Sequence, residues 1–101
     1  MTGSDATTAG LQLIVAGDQY NTISKPSEIV AAAAADVSVQ LLKGEKPTSD
    51  TTLFCAPSKL FDPTVVTQAN LKSEMVDKGI LKASDLCTTT YAAVCAKLGI
   101  S

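Results

Sequence analysis

The side chains best suited to chemistry in this chain are a carboxylate and an amine twenty positions apart, Asp5 and Lys25. An ionised carboxylate offers about four lone-pair sites to hydroxyl donors, and an ammonium offers three N–H donors to hydroxyl and ring oxygens. Charge-assisted bonds of this kind are about twice as strong as neutral ones. The pair suits an uncharged, hydroxyl-rich ligand. Two plainer roles stand beside this one: aspartate is a good helix N-cap, and a lysine at a strand end is ordinarily solvated. Tyr20 divides the same way, between stacking on a ring and packing with its hydroxyl at the surface.

The elements that must position the pair follow from pattern. Gly3 and Ser4 mark a turn, and Leu11, Ile14 and Val15, widened by Leu13, recur at helical spacing between Asp5 and Gly17. Asp5 or Ser4 is the expected cap of this helix, and Gly17 its left-handed stop. Tyr20, Thr22 and Ser24 alternate with Asn21, Ile23 and Lys25, which predicts a short strand halted by Pro26. Residues 2–26 thus read as the second half of a strand, helix, strand unit. In open α/β sheets ligands sit beyond the carboxyl ends of the strands. Asp5 and Lys25 both fall at such ends and are expected to face one pocket.

The stretches TGSDA, IVAGDQYNTISKP, LLKGEKP and PTVVTQANLK, in this order, resemble the closing segment of periplasmic sugar-binding proteins of ABC transporters. The nearest type is the xylose-binding or multiple-sugar receptor of the ribose-binding-like superfamily. The resemblance runs from residue 2 to about residue 86 and corresponds to only part of such a receptor. It implies an α/β fold, a partial type I periplasmic-binding-protein lobe with short parallel strands, about three helices and a carboxy-terminal tail. In that family the aspartate of the G-x-D-A turn takes sugar hydroxyls, which implies that role for Asp5. The polar residue ending the following strand, where the chain crosses between lobes, also contacts the sugar, which implies that role for Lys25. A lysine there is more like the xylose type than the ribose type, where an amide is usual.

Composition narrows the field independently. A chain of 101 residues allows one domain, burying about 60 to 65% of its unfolded surface. Its 46% hydrophobic content with only 4% aromatic requires a core of Ala, Val, Leu and Ile, and 18% charged residues is low for a free-standing domain. The net charge is -2, with no clustered basic residues and no tryptophan. Nucleic acid is therefore not an expected partner. The absence of histidine removes the commonest general base and the commonest metal ligand. No enzyme activity, metal or cofactor is expected. The start of the chain carries no basic stretch followed by an apolar run. No apolar run approaches the ~20 residues that span a bilayer. These features lead us to expect a fragment or truncated frame without membrane insertion, and the resemblance implies a longer exported parent, periplasmic or extracellular and cell-surface associated.

Beyond Lys25, Pro26 and Ser27 are expected to open a second helix that Gly44 closes. Ile29, Ala33, Val37 and Leu41 recur every four residues along it, and the alanine run 31–35 favours helix. In the resembled family the helix at 26–43 packs on the amino-terminal lobe. Its apolar stripe then needs that missing lobe, a second copy of the chain, or a changed packing to cover it. Residues 44–52 read as a polar connection. The stretch 53–67 is expected to be short extended pieces because of its prolines, and by the resemblance to carry a crossing between lobes. Phe54 and Phe61 are expected to pack. Thr67 and Asn70 are expected to start a third helix, with Leu71 and Met75 inward and Gly79 at its end. The family-like segment is thus 1–86, and 87–101 is a carboxy-terminal extension.

Three cysteines cannot all pair within one chain, and the pair closest in sequence is Cys87 with Cys95. A continuous helix would hold them about 12 Å apart. That exceeds the ~7 Å limit for a disulfide. A bridge therefore requires residues 88–90 to turn the chain back before a short helix starting near Tyr91. Cys55 is expected to be a buried thiol.

The resemblance implies a binding module that takes a monosaccharide, xylose-like, and presents it to the permease of an ABC importer, with no chemical step. The alternative is a structural or self-associating fragment that acts through the 26–43 helix and binds no sugar.

Overall fold

The computed structural model describes residues 1–25 and 27–100, so the roles expected of Pro26, as the end of a strand and the opening of a helix, lie outside the described residues. The chain divides into two units, Met1–Lys25 with Thr64–Ser101, and Pro26–Pro63.

In the first unit, helix α1 spans Thr8–Ala16 and buries Leu11, Ile14 and Val15. Its N-cap is Thr7, whose hydroxyl accepts from the Gly10 N–H at 3.2 Å. This corrects the expected cap at Asp5 or Ser4. In the run Asp-Ala-Thr, the threonine is the residue with extended dihedrals at the helix start, while Asp5 lies in the turn before it. At the other end Gly17 adopts φ 92°, and its N–H returns to the carbonyls of Leu13 and Ile14. Only a residue free of a Cβ takes that conformation without strain.

Strand β1 (Asn21–Ser24) pairs with β4 (Thr64–Thr67) in antiparallel register, from Asn21 opposite Thr67 to Ser24 opposite Thr64. The parallel strands expected of this fold are thus corrected: the architecture is α/β, but both strand pairs are antiparallel. A parallel sheet needs each strand to be fed by a helical crossover packed on the same sheet. Here residues 26–63 form a separate unit, and β4 pairs with β1 in the opposite sense. Among the described residues, parallel geometry survives as an isolated bridge between Thr2 and Asn21, where the residues before α1 lie beside β1.

After β4 the side chain of Asn70 closes the turn, its Oδ1 accepting from the Thr67 N–H at 2.7 Å and its Nδ2 donating to the Val65 carbonyl at 2.9 Å. A π-helical turn follows at Lys72–Val76, then α3 (Ala83–Leu86) and α4 (Ala92–Lys97). Their inward residues Leu71, Met75, Leu86, Cys95 and Ile100 join those of α1 and Val66 in one core. The carboxy-terminal residues are therefore part of that core. Side-chain amides fasten its rim. Gln12 donates to the carbonyls of Asp85 and Leu86 at 3.3 Å, and Gln68 donates to those of Ile14 and Val15 at the open end of α1.

The second unit holds α2 (Ser27–Leu42) and a hairpin of β2 (Thr51–Leu53) and β3 (Ala56–Ser58). None of the α2 residues is buried. The two hairpin strands are joined by Phe54 and Cys55 alone, both at positive φ, 48° and 65°. This is the geometry of a two-residue turn whose twist suits a hairpin. It overturns two expectations: Phe54 is fully exposed rather than packed, and the Cys55 thiol is exposed rather than buried. A turn tip points its side chains outward whatever their polarity.

Candidate functional site

Asp5 and Lys25 meet in the first unit. The Lys25 Nζ donates to the Asp5 Oδ1 at 2.5 Å, with each side chain 62% exposed. The Asp5 carboxyl lies below its ordinary pKa, first because Lys25 hydrogen-bonds to it and then because of that ammonium's charge. So exposed a pair contributes little to stability, since water and salt screen it. Its geometry nevertheless suits a vicinal diol, in which one hydroxyl donates to the carboxylate while its neighbour accepts from the ammonium. The single contact between the two groups leaves donors and acceptors free for this.

The turn that carries Asp5 is unusual. Asp5 and Ala6 both occupy the left-handed region, with φ 72° and 46°. Aspartate visits it readily, but alanine has no such excuse and costs about 1–2 kcal/mol there. Three bonds tie this turn to β1 and the residue before it. The Ala6 N–H donates to the Thr22 hydroxyl at 3.2 Å, the Gly3 N–H to the Asn21 carbonyl at 2.9 Å, and the Tyr20 N–H to the Met1 carbonyl at 2.7 Å. Gly3 is a close-approach position as well: a Cβ there would stand 2.4 Å from the Gln19 amide nitrogen. That buried amide in turn donates to the Asn21 carbonyl at 2.9 Å.

Sequence reasoning assigned Thr22 nothing beyond strand alternation, yet it is 1% exposed and its hydroxyl supports the Asp5 turn. The signal was present in principle. A threonine on the inward face of a strand carries a polar atom into a core, and buried polar atoms have partners. Tyr20, placed between stacking and packing, is exposed. It lines a shallow pocket of about 340 Å³ with Ile14, Gly17, Gln19, Thr67, Gln68 and Ala69. Asp5 and Lys25 are not among the residues that line that pocket.

Cys87 and Cys95 are joined in a disulfide with their Cα atoms 5.9 Å apart. The chain turns at residues 88–91, where the Tyr91 N–H returns to the Thr88 carbonyl at 2.8 Å, before α4 begins. Among the described residues no cluster of three or more His, Cys, Asp or Glu side chains could hold a metal ion. Among them, too, no helix is long and apolar enough to cross a membrane.

No family model matches the chain. It is 38% identical over 90 residues to the D-xylose-binding periplasmic protein of Escherichia coli, which covers 85% of this chain and 27% of that protein. It is 30% identical over 92 residues to the multiple sugar-binding periplasmic receptor ChvE of Rhizobium radiobacter, covering 85% of this chain and 26% of that one. Two solved structures are also similar. A carbohydrate transporter solute binding protein from Chloroflexus aurantiacus, in complex with D-glucose, has a TM-score of 0.70 and 30% identity over 83% of this chain and 26% of that one. An ABC transporter solute binding protein from Clostridium phytofermentans, with bound β-D-glucose, has a TM-score of 0.76 and 25% identity over 84% and 28% respectively. All of these are binding proteins rather than enzymes. The chain spans about a quarter of the length of the curated relatives it matches. Over most of its own length, the chain is homologous to the periplasmic sugar-binding proteins of ABC transporters.

Proposed function

We propose that this chain is the sugar-contacting segment of a periplasmic monosaccharide receptor that serves an ABC importer, and that Asp5 and Lys25 are its contribution to the ligand, a xylose- or glucose-like sugar. The observation that carries the reading is the 2.5 Å Asp5–Lys25 pair on a turn and strand end in a chain homologous to such receptors. The role is binding without a chemical step. In this reading residues 1–86 are the receptor-like segment, the helix at 26–43 packs on the rest of the receptor, 53–67 carry a crossing between lobes, and 87–101 extend it. The intact receptor would work outside the cytoplasmic membrane and dock on a permease.

The pair alone offers a fraction of the hydrogen bonds and enclosure that a tight sugar site needs. The isolated chain is expected to bind D-xylose or D-glucose with a Kd on the order of millimolar or weaker. Amide NMR titration reads this directly. Saturable shifts at Asp5, Lys25 and Thr22 that vanish in Asp5→Ala support the reading. Shifts that are absent, or unchanged in Asp5→Ala, sink it.

A second reading is favoured by one specific observation, the exposure of Ile29, Val30, Val39, Leu41 and Leu42 on α2. In that reading the chain associates with itself through residues 26–43 and takes no sugar. Light scattering over a concentration series separates the two: a stable oligomer that ignores sugar favours the second, and a monomer rejects it.

A further inference from the structure

We infer that Thr22 is a positioning residue for the Asp5–Lys25 pair, its buried hydroxyl holding the turn that presents the Asp5 carboxylate to Lys25. The inference rests on the reading of that pair as a ligand-binding element, and deepens it by naming what fixes its geometry.

Thr22 sits in the middle of β1 opposite Val66, with both side chains in the core. A valine would fill that place as well and would carry no polar atom to desolvate. The hydroxyl therefore has to be satisfied, and the partner it has is the Ala6 N–H at 3.2 Å. Ala6 is the residue in that turn least suited to its left-handed conformation. Without an acceptor for its N–H, the turn loses the bond that compensates its strain, and residues 4–6 are free to take ordinary extended or helical dihedrals. Asp5 would then swing away from Lys25, whose own place is set by the end of β1 and does not depend on the turn. The hydroxyl and the carboxylate lie on different elements, and the hydroxyl's hydrogen bond runs to the backbone N–H of Ala6, so Thr22 acts on the pair through that backbone.

The test is the titration of the Asp5 side-chain carboxyl carbon by NMR, at low ionic strength and with no sugar present. Lys25→Gln supplies the unpaired reference. In Thr22→Val the Asp5 midpoint is expected to rise to that reference, while Thr22→Ser, which keeps the oxygen and loses the methyl, is expected to titrate as the parent does. In Thr22→Val with Ala6→Gly, where the turn no longer strains the backbone, the depressed midpoint is expected to return. A folded Thr22→Val that titrates like the parent overturns the proposal. If Thr22→Val does not fold, Thr22→Ser decides: a midpoint raised to the Lys25→Gln value shows that packing, not the oxygen, sets the pair, and overturns it. Because sugar is absent, a chain that binds no sugar removes the receptor reading and leaves this result standing.

Discussion

The two units of this chain are built on opposite terms. In Met1–Lys25 with Thr64–Ser101, helices of only four to nine residues are held by a shared core, and each contributes at least one buried side chain. Such helices are too short to persist alone and exist because their apolar faces are covered. In Pro26–Pro63 the relation is reversed. A 16-residue helix carries an alanine run of high helix propensity and no buried residue, beside a two-stranded hairpin of a size that is marginal in water. One region owes its form to tertiary packing, the other to local preference. The Asp5–Lys25 pair belongs to the first, where a core can hold a strained turn in place.

The sharpest way to break this contrast is truncation in each region. Leu71→Ala removes a fully buried side chain and is expected to cost about 2–5 kcal/mol. Leu41→Ala on the exposed face of α2 is expected to change stability by no more than about 0.5 kcal/mol. Urea denaturation followed by circular dichroism reads both. A large, concentration-dependent cost at Leu41 would show that α2 is covered by another copy and would end the contrast.

The disulfide comes next in size. Closing a loop of about eight residues restricts the unfolded chain by about 2.5 kcal/mol. Cys87→Ser is expected to lower the unfolding free energy by about that amount, and dithiothreitol to reproduce the loss in the parent. The effect should fall on the first unit alone, with the α2 signal unmoved. Amide hydrogen exchange, resolved by residue, checks this.

The smallest effect is electrostatic. Asp5 has a folded-state pKa below its unfolded value. Whatever stability the pair contributes is therefore fully present above the unfolded value of about 3.9. It is lost as the pH falls through the folded value. Because the pair is exposed, raising the salt concentration is expected to move the Asp5 midpoint back toward that of a free aspartate. A midpoint indifferent to salt would mean that the pair is better sheltered than its geometry indicates.

What could be read in the sequence was local. The spacing of Leu11, Ile14 and Val15 and the stop at Gly17 delimit α1, and the alanine run marks α2, because helical period and glycine chemistry act over a few residues. The turn holding Asp5 and the strand end holding Lys25 could also be located from residue pattern, and the resemblance added the sugar-contacting role of the two. Strand direction could not. It depends on the path of the 38 residues of Pro26–Pro63, a long-range matter on which the alternation of β1 and β4 is silent. Residue type misled at Phe54 and Cys55, which read as interior because they are apolar and instead form a hairpin tip without the usual Asn-Gly signal. Thr22 was overlooked because an alternating strand gives each polar residue the same weight, and only burial reveals which hydroxyl has to find a partner.

The exposed tip at Cys55 carries a practical consequence. With Cys87 and Cys95 joined to each other, it is the one thiol of this chain open to a maleimide or methanethiosulfonate reagent. A nitroxide attached there would put a single spin label on the second unit without disturbing the first unit's core. Pulsed electron resonance on that label would then give the distance between two copies if α2 brings them together, and no dipolar signal if it does not.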